Sequence, residues 1–454
     1  MEERYPEVIK ERPEYIAHHY TEAGLLEKAI DWWLLAEQDA LKKSANVEAI
    51  SHFKRGMALL KKLPVTKDNT LRELRLCATV GAAYCATTGY ASQEVETVFL
   101  RASELLNRTG DIPEQFPILW GQYAFYVVRG ELDEAKEHAQ AMLAAAENKY
   151  NRLMQLEATV ALGLTHYFIG DVIVAYSYIE KAAQLDSLDR DRTFTYICGQ
   201  DSSVGNLVYM ALTLWLMGEL DQALDKSGEA ISLARKLEHP FSLAYALNFS
   251  AWLHYMLRKT DSAEILANEV ISLSLEQGFF WVTLGSVILG WTKVSAGDSD
   301  QGLTMMETGL QNYRGAGAGL SQTLQLSIEA DACLQAKELN RAIACLQEAI
   351  EMAEKTGEKF WLADIYRLMA ETYHLMDDER AAESNILKAI DIAKEQNSPM
   401  LLLRAAASYV RLTNKNNKKT ALMLLKQVRK KINGSDDLSD LQDAELLLKE
   451  LKGS

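Results

Sequence analysis

Small residues return along the chain at an almost constant interval, each followed by a larger residue four positions later and a small one three further on. The first copy runs from Gly24 through Ala29 and Trp33 to Ala36. Because positions i, i+4 and i+7 lie on one face of a helix, each copy predicts a helix with a narrow contact stripe. A glycine or short polar turn stands ahead of each copy, so the pattern predicts consecutive helical hairpins.

The interval between copies indicates the class of repeat. The anchor positions are Ala29, Ala49, Val95, Ala135, Ala175, Ala223, Ala263, Gly302, Ala342, Ala382 and Ala421. From the third anchor onward the steps are 40, 40, 48, 40, 39, 40, 40 and 39 residues. A tetratricopeptide repeat spans about 34 residues, and armadillo or HEAT repeats roughly 40–47. We therefore predict an all-α, right-handed superhelical solenoid of antiparallel helix pairs, tetratricopeptide-like but with helices about one turn longer.

Such a repeat predicts that residues 1–454 form one continuous solenoid, since each hairpin is stable only against its neighbours. The helix pairs predicted from the pattern are 71–85 with 92–107, 117–129 with 132–147, and 152–169 with 173–185. The step of 48 residues between Ala175 and Ala223 is longer than the other steps, and residues 186–206 hold the extra length. We predict that they form an insertion loop, which is either a longer turn or part of a binding face. The sequence GAGAG at 315–319 is either a plain turn or a hinge that subdivides the solenoid.

Charge, cysteine content and the length of apolar stretches indicate which kinds of partner and which compartment to expect. A formal charge of −15 disfavours a nucleic-acid partner, which needs a basic surface. The five cysteines form no CxxC pair and suit free thiols in a reducing compartment. The apolar stretches 207–218 and 279–291 are shorter than the ~20 residues that span a bilayer. We therefore expect a cytoplasmic protein with neither a nucleic-acid nor a membrane partner.

The chain lacks the short motifs of nucleotide, metal and acyl-transfer chemistry. It contains no GxxxxGK[ST], HExxH, GxSxG or GxGxxG. His166 falls at a packing position, so a core histidine is favoured over a metal ligand. We assign no catalytic residue, no cofactor-binding residue and no metal ligand, and predict that the protein is not an enzyme.

Aromatic residues give the candidate binding positions. Alignment on the anchors places Tyr167 and Trp215 at one position of the first helix of a hairpin, and Trp252 and Trp291 three residues earlier in the next two repeats. Tyr255 lies one turn after Trp252. Trp and Tyr are enriched at binding hot spots, so these residues predict an aromatic stripe along the concave groove. The alternative is that they pack inside the core.

Five segments resemble one bacterial family. They are HHYTEAGLLEKAIDWWLLAEQDALKKSANVEAISHFKRGMALL, TTGYASQEVETVFLRASEL, FPILWGQYAFYVVRGEL, GQDSSVGNLVYMALTLWLMGELDQAL and HPFSLAYALNFSAWLH. They resemble the C-terminal tetratricopeptide region of large bacterial predicted ATPases of the STAND type, often fused to class III adenylate or guanylate cyclase or Ser/Thr kinase domains. The catalytic parts of that family are absent from this sequence, which is either a fragment or a stand-alone relative.

The resemblance implies an interaction or sensor arm. Gln200 and Asp201 match the GQD motif of the family and are added to the candidate groove residues, with helix capping as the structural alternative for Asp201. The favoured function is a protein–protein interaction or regulatory scaffold module of a bacterial cytoplasmic signalling system, which binds a protein or peptide partner, including an upstream ATPase or cyclase module. The alternative is a sensor arm for a small ligand, a sugar or a peptide.

Overall fold

We describe the chain from a computed structural model, over residues 12–109, 115–149, 151–186, 199–413 and 415–449. Over these ranges it forms 22 helices and no strand. The helices are α1 Pro13–Glu22, α2 Leu26–Lys42, α3 Asn46–Leu60, α4 Lys67–Thr88, α5 Gln93–Thr109, α6 Gln115–Arg129, α7 Leu132–Asn148, α8 Arg152–Ile169, α9 Val172–Leu185, α10 Ser202–Met217, α11 Leu220–Lys236, α12 Pro240–Met256, α13 Thr260–Gln277, α14 Val282–Ser295, α15 Ser299–Gly315, α16 Gln322–Gln335, α17 Leu339–Thr356, α18 Leu362–Leu375, α19 Glu379–Glu395, α20 Pro399–Leu412, α21 Lys415–Arg429 and α22 Ser439–Lys449.

The helices pack as successive hairpins, which confirms the predicted all-α solenoid. The even-numbered helices α4 to α20 are the first helices of their hairpins, and the odd-numbered helices α5 to α21 are the second. Anchors on second helices, such as Ala135, Ala223 and Ala342, have no exposed surface. At Gly302 an added Cβ would lie 2.5 Å from the carbonyl oxygen of Gly290 on the partner helix. The small anchors therefore set how closely the two helices of a hairpin approach.

Several helix limits agree with the sequence pattern. Helix α8 has the predicted limits, and α4 begins four residues before its predicted start. Helix α10 begins at Ser202, inside the predicted insertion loop of 186–206. Residues 187–198 of that loop lie outside the described residues. In the part of the chain that is described, no helix is long and apolar enough to cross a membrane.

The first helices of one superhelical turn touch those of the next turn along a row of contacts that we call the seam. The carbonyl of Ala86 near the end of α4 accepts a hydrogen bond from the N–H of Phe280, just before α14, at 3.2 Å. The carbonyl of Val128 in α6 accepts the N–H groups of Gly319 and Leu320, before α16, at 2.8 and 2.9 Å. Each contact joins hairpins five repeats apart, so five hairpins complete one turn of the superhelix.

The seam continues in the same register toward the C-terminus. The carbonyl of Phe168 in α8 accepts the N–H of Lys359, before α18, at 2.9 Å. The carbonyl of Leu216 in α10 accepts the hydroxyl of Ser398, the N-cap of α20, at 2.9 Å and 182 residues away in sequence. All four carbonyls belong to the last turn of a helix, where no intrahelical donor is available. The next turn of the superhelix therefore supplies the donors that these helix ends lack.

Aromatic side chains fill the space between the two superhelical turns. Tyr167 at the end of α8 contacts Phe360, with 4.9 Å between ring centroids. Trp215 at the end of α10 contacts Trp361, at 5.5 Å. The side chains of Tyr167, Trp215 and Trp361 have no exposed surface. The concave side is thus a packed core over this part of the solenoid rather than an open channel.

The buried carboxyl of Glu358 links two neighbouring turns of the seam by hydrogen bonds. It lies in the turn before α18, next to Lys359, and accepts hydrogen bonds from the N–H of Ser321 at 2.6 Å and from the hydroxyl of Thr323. Burial raises the pKa of Glu358 to about 7, although the bonds from Thr323 and Ser321 favour its charged form. The turn that precedes α16 is therefore held by a carboxyl that titrates near neutral pH.

Because of the seam, we expect alanine substitutions at two glycines of the GAGAG stretch to differ in their effect on stability. A Cβ at Gly319 would lie 2.0 Å from the carbonyl oxygen of Arg129, whereas a Cβ at Gly315 would meet no atom within 4 Å. We expect Gly319→Ala to lower the free energy of unfolding by about 1–3 kcal/mol, because the backbone across the seam must move. Gly315→Ala is the matched control and leaves it unchanged or slightly higher. Urea denaturation measures both, and equal effects of the two substitutions would contradict the seam.

Glu358 predicts a pH dependence of stability. Between the unfolded-state pKa of about 4.3 and the native value, the folded chain holds a proton that the unfolded chain has lost, so the free energy of unfolding falls as pH rises. In Glu358→Gln we expect the loss of stability between pH 5 and pH 8 to be smaller than in the wild type by roughly 2 kcal/mol. Urea denaturation of both proteins at the two pH values tests this. Equal pH dependence in the two proteins would show that Glu358 does not titrate in this range.

Candidate binding pocket

The sequence-predicted site residues fall into two groups. Tyr167, Trp215 and Trp252 are buried in aromatic packing, with Trp252 edge-on to Phe249 at 4.8 Å between centroids. Tyr255 and Trp291 border a cavity of about 550 Å³. The structure therefore brings only the last two of the five aromatic candidates to one cavity.

Gln200 and Asp201 lie in a different part of the solenoid. Asp201 has no exposed surface and is the N-cap of α10, where its Oδ1 accepts the N–H of Ser203 at 3.0 Å. Gln200 borders a narrow apolar space of about 70 Å³ that Trp252 also lines. Neither residue lines the larger cavity. In this structure Asp201 therefore has the helix-capping role that was the structural alternative for it.

The larger cavity, which we call the charged pocket, lies on the concave side where the last hairpins meet the end of α12. Its charged lining consists of Arg258, Arg367, Arg404, Arg411, Asp331, Glu371, Asp440 and Asp443. Tyr255 and Trp291 form its aromatic part, with ring planes at 87° and centroids 5.0 Å apart. The pocket thus combines an aromatic corner with four side chains of each charge.

The repeat itself generates the lining. Trp291, Asp331, Glu371 and Arg411 follow one another at intervals of 40 residues and come from α14, α16, α18 and α20. They occupy equivalent positions in four consecutive first helices, and we call this row the pocket ladder. The indole N–H of Trp291 donates to Oδ2 of Asp331 at 2.8 Å, which links the first two members. The missed residues could therefore have been found as charged side chains that recur at one repeat position.

Two of the arginines are held on several sides. The Nε and Nη2 groups of Arg367 donate to the two carboxylate oxygens of Asp364 at 2.7 and 3.0 Å, and its Nη1 donates to Glu371 at 3.0 Å. Burial alone would raise the pKa of Asp364, but the positive charges of Arg367 and Arg404 lower it below its usual value. The pair is a bidentate, buried ion pair, whose geometry is fixed before any ligand arrives.

Arg404 joins four helices at the floor of the pocket. Its Nη2 donates to Asp440 of α22 at 2.9 Å and also to the carbonyl of Met256 at the end of α12. Its guanidinium lies over the ring of Trp215 in α10, 5.0 Å from the centroid. Arg404 therefore supplies a side-chain donor to another last-turn carbonyl, that of Met256, although here the two hairpins lie four repeats apart rather than five.

The other two arginines are at the rim. Nη1 of Arg258 lies 2.9 Å from Asp443, and Nη2 of Arg411 lies 3.2 Å from the same residue. Their side chains are 50% and 44% exposed. Arg411 also borders a second cavity of about 370 Å³ together with His374 and Glu379. These two guanidinium groups, unlike Arg367 and Arg404, are accessible from solvent.

Comparisons with known proteins agree with this architecture. A family model described as tetratricopeptide repeat matches residues 321–395, and a model of anaphase-promoting complex subunit 5 matches residues 158–276. An uncharacterized protein of Rhizobium meliloti (strain 1021) is 24% identical over 404 residues, which cover 87% of this chain and 38% of that protein. The chain thus spans less than two fifths of the length of this relative.

One solved structure shares the solenoid fold, and a second one matches more weakly. The Rap protein complexed with Competence and Sporulation Factor matches with a TM-score of 0.57 and 14% identity, over 81% of this chain and 98% of that one. The Rap conjugation gene regulator of the plasmid pLS20, in complex with the Phr* peptide, matches with a TM-score of 0.47 and 13% identity, over 93% and 96%. The chain therefore contains a tetratricopeptide-type repeat region in an all-helical solenoid.

The two kinds of arginine predict different losses of stability. Arg404→Ala leaves Asp440 and the carbonyl of Met256 without their donor, so we expect the free energy of unfolding to fall by about 3–5 kcal/mol. Arg411→Ala removes one contact at the exposed rim, and we expect a loss below about 1 kcal/mol. Urea denaturation of the two variants under one set of conditions gives the comparison. Similar losses in both would mean that the seam does not depend on Arg404.

Proposed function

We propose that this chain is a binding module, a regulatory or scaffold arm of a bacterial cytoplasmic signalling system, that takes a peptide segment of a protein partner into the charged pocket. The single observation that carries the proposal is the pocket ladder, which places one tryptophan and three charged side chains at one position of four consecutive first helices. Elsewhere on the concave side, the same helices present apolar and aromatic residues to the next superhelical turn. A partner therefore finds directional polar groups in one place.

Preorganisation of the lining supports binding. Arg367 and Arg404 have two or more partners each, so their side chains lose little further freedom when a ligand enters. Arg258 and Arg411 share Asp443 and are half exposed, which leaves N–H donors that can reach a carboxylate. The expected anionic contact of the partner is a C-terminal or side-chain carboxylate at this rim.

The pairing of charges favours binding over catalysis. Glu371, Asp440 and Asp443 each form an ion pair with an arginine of the pocket. Arginine nitrogens thus already occupy the carboxylate oxygens that a catalytic acid or base would have to present to a substrate. We therefore propose that the protein acts by recognition alone.

A small-ligand sensor is the second candidate. The volume of about 550 Å³ lies within the range of small-molecule sites, and the aromatic corner of Tyr255 and Trp291 suits a sugar face or a short peptide. The Rap protein of similar fold was solved with Competence and Sporulation Factor bound, which is compatible with either candidate.

We further propose that the arm works with an upstream ATPase or cyclase module, as the sequence resemblance implies. The length of the relative from Rhizobium meliloti supports this proposal, because the matched region is 38% of that protein and the rest is long enough for further domains. In this arrangement, occupation of the pocket would be the signal and the catalytic module would be the output.

Partner capture from native lysate tests the proposal. We expect tagged wild-type protein to retain a specific partner, and Arg411→Gln to retain at least tenfold less, because a charge-assisted contact at the rim is lost. Arg380→Gln, an exposed position on α19 outside the pocket, is the matched control and should bind as the wild type does.

The outcomes separate the candidates. Equal capture by Arg411→Gln and the wild type would place the partner elsewhere on the solenoid and contradict the proposal. No captured protein, together with a rise in melting temperature on adding a sugar or short peptide, would favour the sensor.

A further inference from the structure

We propose that Asp331 is the counter-ion for a cationic group, a primary ammonium or a guanidinium, of the peptide that enters the charged pocket. The inference rests on the proposed function and specifies one chemical feature of the ligand. The observation behind the inference is the carboxylate of Asp331, which follows Trp291 in the pocket ladder and forms no ion pair with any described residue.

Asp331 differs from the other carboxylates of the pocket in its partners. Glu371, Asp440 and Asp443 each have an arginine nitrogen within 3.2 Å. Among the described residues, no lysine, arginine or histidine nitrogen forms an ion pair with Asp331. The nearby Arg367 already donates to both oxygens of Asp364 and to Glu371. Within the described part of the chain, three of the four lining acids thus have an ion-pair partner and Asp331 has none.

Hydrogen bonds fix the orientation of this carboxylate. Its Oδ2 accepts the indole N–H of Trp291 at 2.8 Å and the amide of Gln335 at 3.3 Å. Gln335 is itself held by the hydroxyl of Ser295, 2.9 Å away. No hydrogen bond to Oδ1 is found within the described ranges, so this oxygen can accept from a ligand. The carboxylate is therefore oriented by neutral donors and keeps one oxygen available.

The aromatic corner suits a cation beside this oxygen. Tyr255 and Trp291 meet at right angles and border the cavity with Asp331. An ammonium or guanidinium group next to such rings gains attraction from their π electrons, and this attraction grows where water is excluded. Burial raises the pKa of Asp331, although the bond from Trp291 and the positive charge of Arg367 lower it, so solvent stabilises its charged form poorly. A bound cation would supply the missing stabilisation.

The distribution of charge along the pocket predicts the orientation of a bound peptide. On one side, Arg258, Arg404 and Arg411 face two aspartates, whereas Asp331 has no cation of its own. A peptide with a positive group toward Asp331 and a carboxylate toward Arg258 and Arg411 complements both ends. A purely anionic or apolar peptide would leave Asp331 buried without a partner, which is costly.

Defined peptides test the inference. The probes are five-residue peptides of alanine and glycine with one lysine, one arginine or one norleucine, each with a free or acetylated N-terminus. Calorimetric titration measures their affinity for wild-type protein, Asp331→Asn and Asp391→Asn. The first substitution keeps the shape and an acceptor for Trp291. The second is the matched control at an exposed position of α19.

We expect peptides with a positive group to bind Asp331→Asn at least tenfold more weakly than the wild type, while Asp391→Asn stays unchanged. Loss of binding on acetylation alone would identify the N-terminal amine as the group bound. Loss on replacing lysine or arginine by norleucine would identify the side chain.

Two results would overturn the inference. Equal binding of lysine and norleucine peptides, with Asp331→Asn like the wild type, would reject the counter-ion role while peptide binding itself stands. If no peptide binds, titration with arginine amide and butylammonium remains decisive, and the absence of any binding that depends on Asp331 rejects the inference. Partner capture that depends on Arg411 decides the proposed function separately.

Discussion

The last-turn carbonyls of the first helices are the groups on which the architecture depends. A helix cannot satisfy them internally, and a buried carbonyl without a donor is costly. In a flat array of hairpins these groups would face solvent, but here the concave side is closed by the following superhelical turn. Backbone N–H groups at Phe280, Gly319 and Lys359, the hydroxyl of Ser398 and the guanidinium of Arg404 supply the donors. The bonds of Phe280, Gly319, Lys359 and Ser398 each join hairpins five repeats apart, so once they form, the spacing of five hairpins per turn is fixed.

The sequence predicted the hairpins but not the seam, for a physical reason. Helix periodicity and small anchors are local signals, and α8 could be placed residue for residue from them. The seam joins residues as far as 182 positions apart, and nothing local in the chain reports on such a contact. The aromatic stripe shows the consequence. Trp215 has the size and position of a groove residue, and only the second superhelical turn, which brings Trp361 against it, determines its place.

The same repeat produces both the packed core and the charged pocket. A solenoid turns one residue per hairpin into a continuous row, so the chemistry of that row is set by four or five positions spaced 40 apart. Aromatic residues such as Tyr167 and Trp215 pack the two superhelical turns together in one part of the solenoid. In another part, the row of Trp291, Asp331, Glu371 and Arg411 lines a cavity.

The arginines of this cavity differ in how firmly the surrounding residues hold them. Arg404 is buried and bonded to three helices, so any ligand that competed for it would weaken the seam. Arg258 and Arg411 share one aspartate and can exchange it for a ligand carboxylate with little loss, since exposed ion pairs contribute little. A ligand that contacts Arg258 and Arg411 but leaves the bonds of Arg404 in place would bind without opening the superhelix. The lining of the pocket is therefore held firmly at Arg404 and adjustable at its rim, which is compatible with the peptide binding proposed for it.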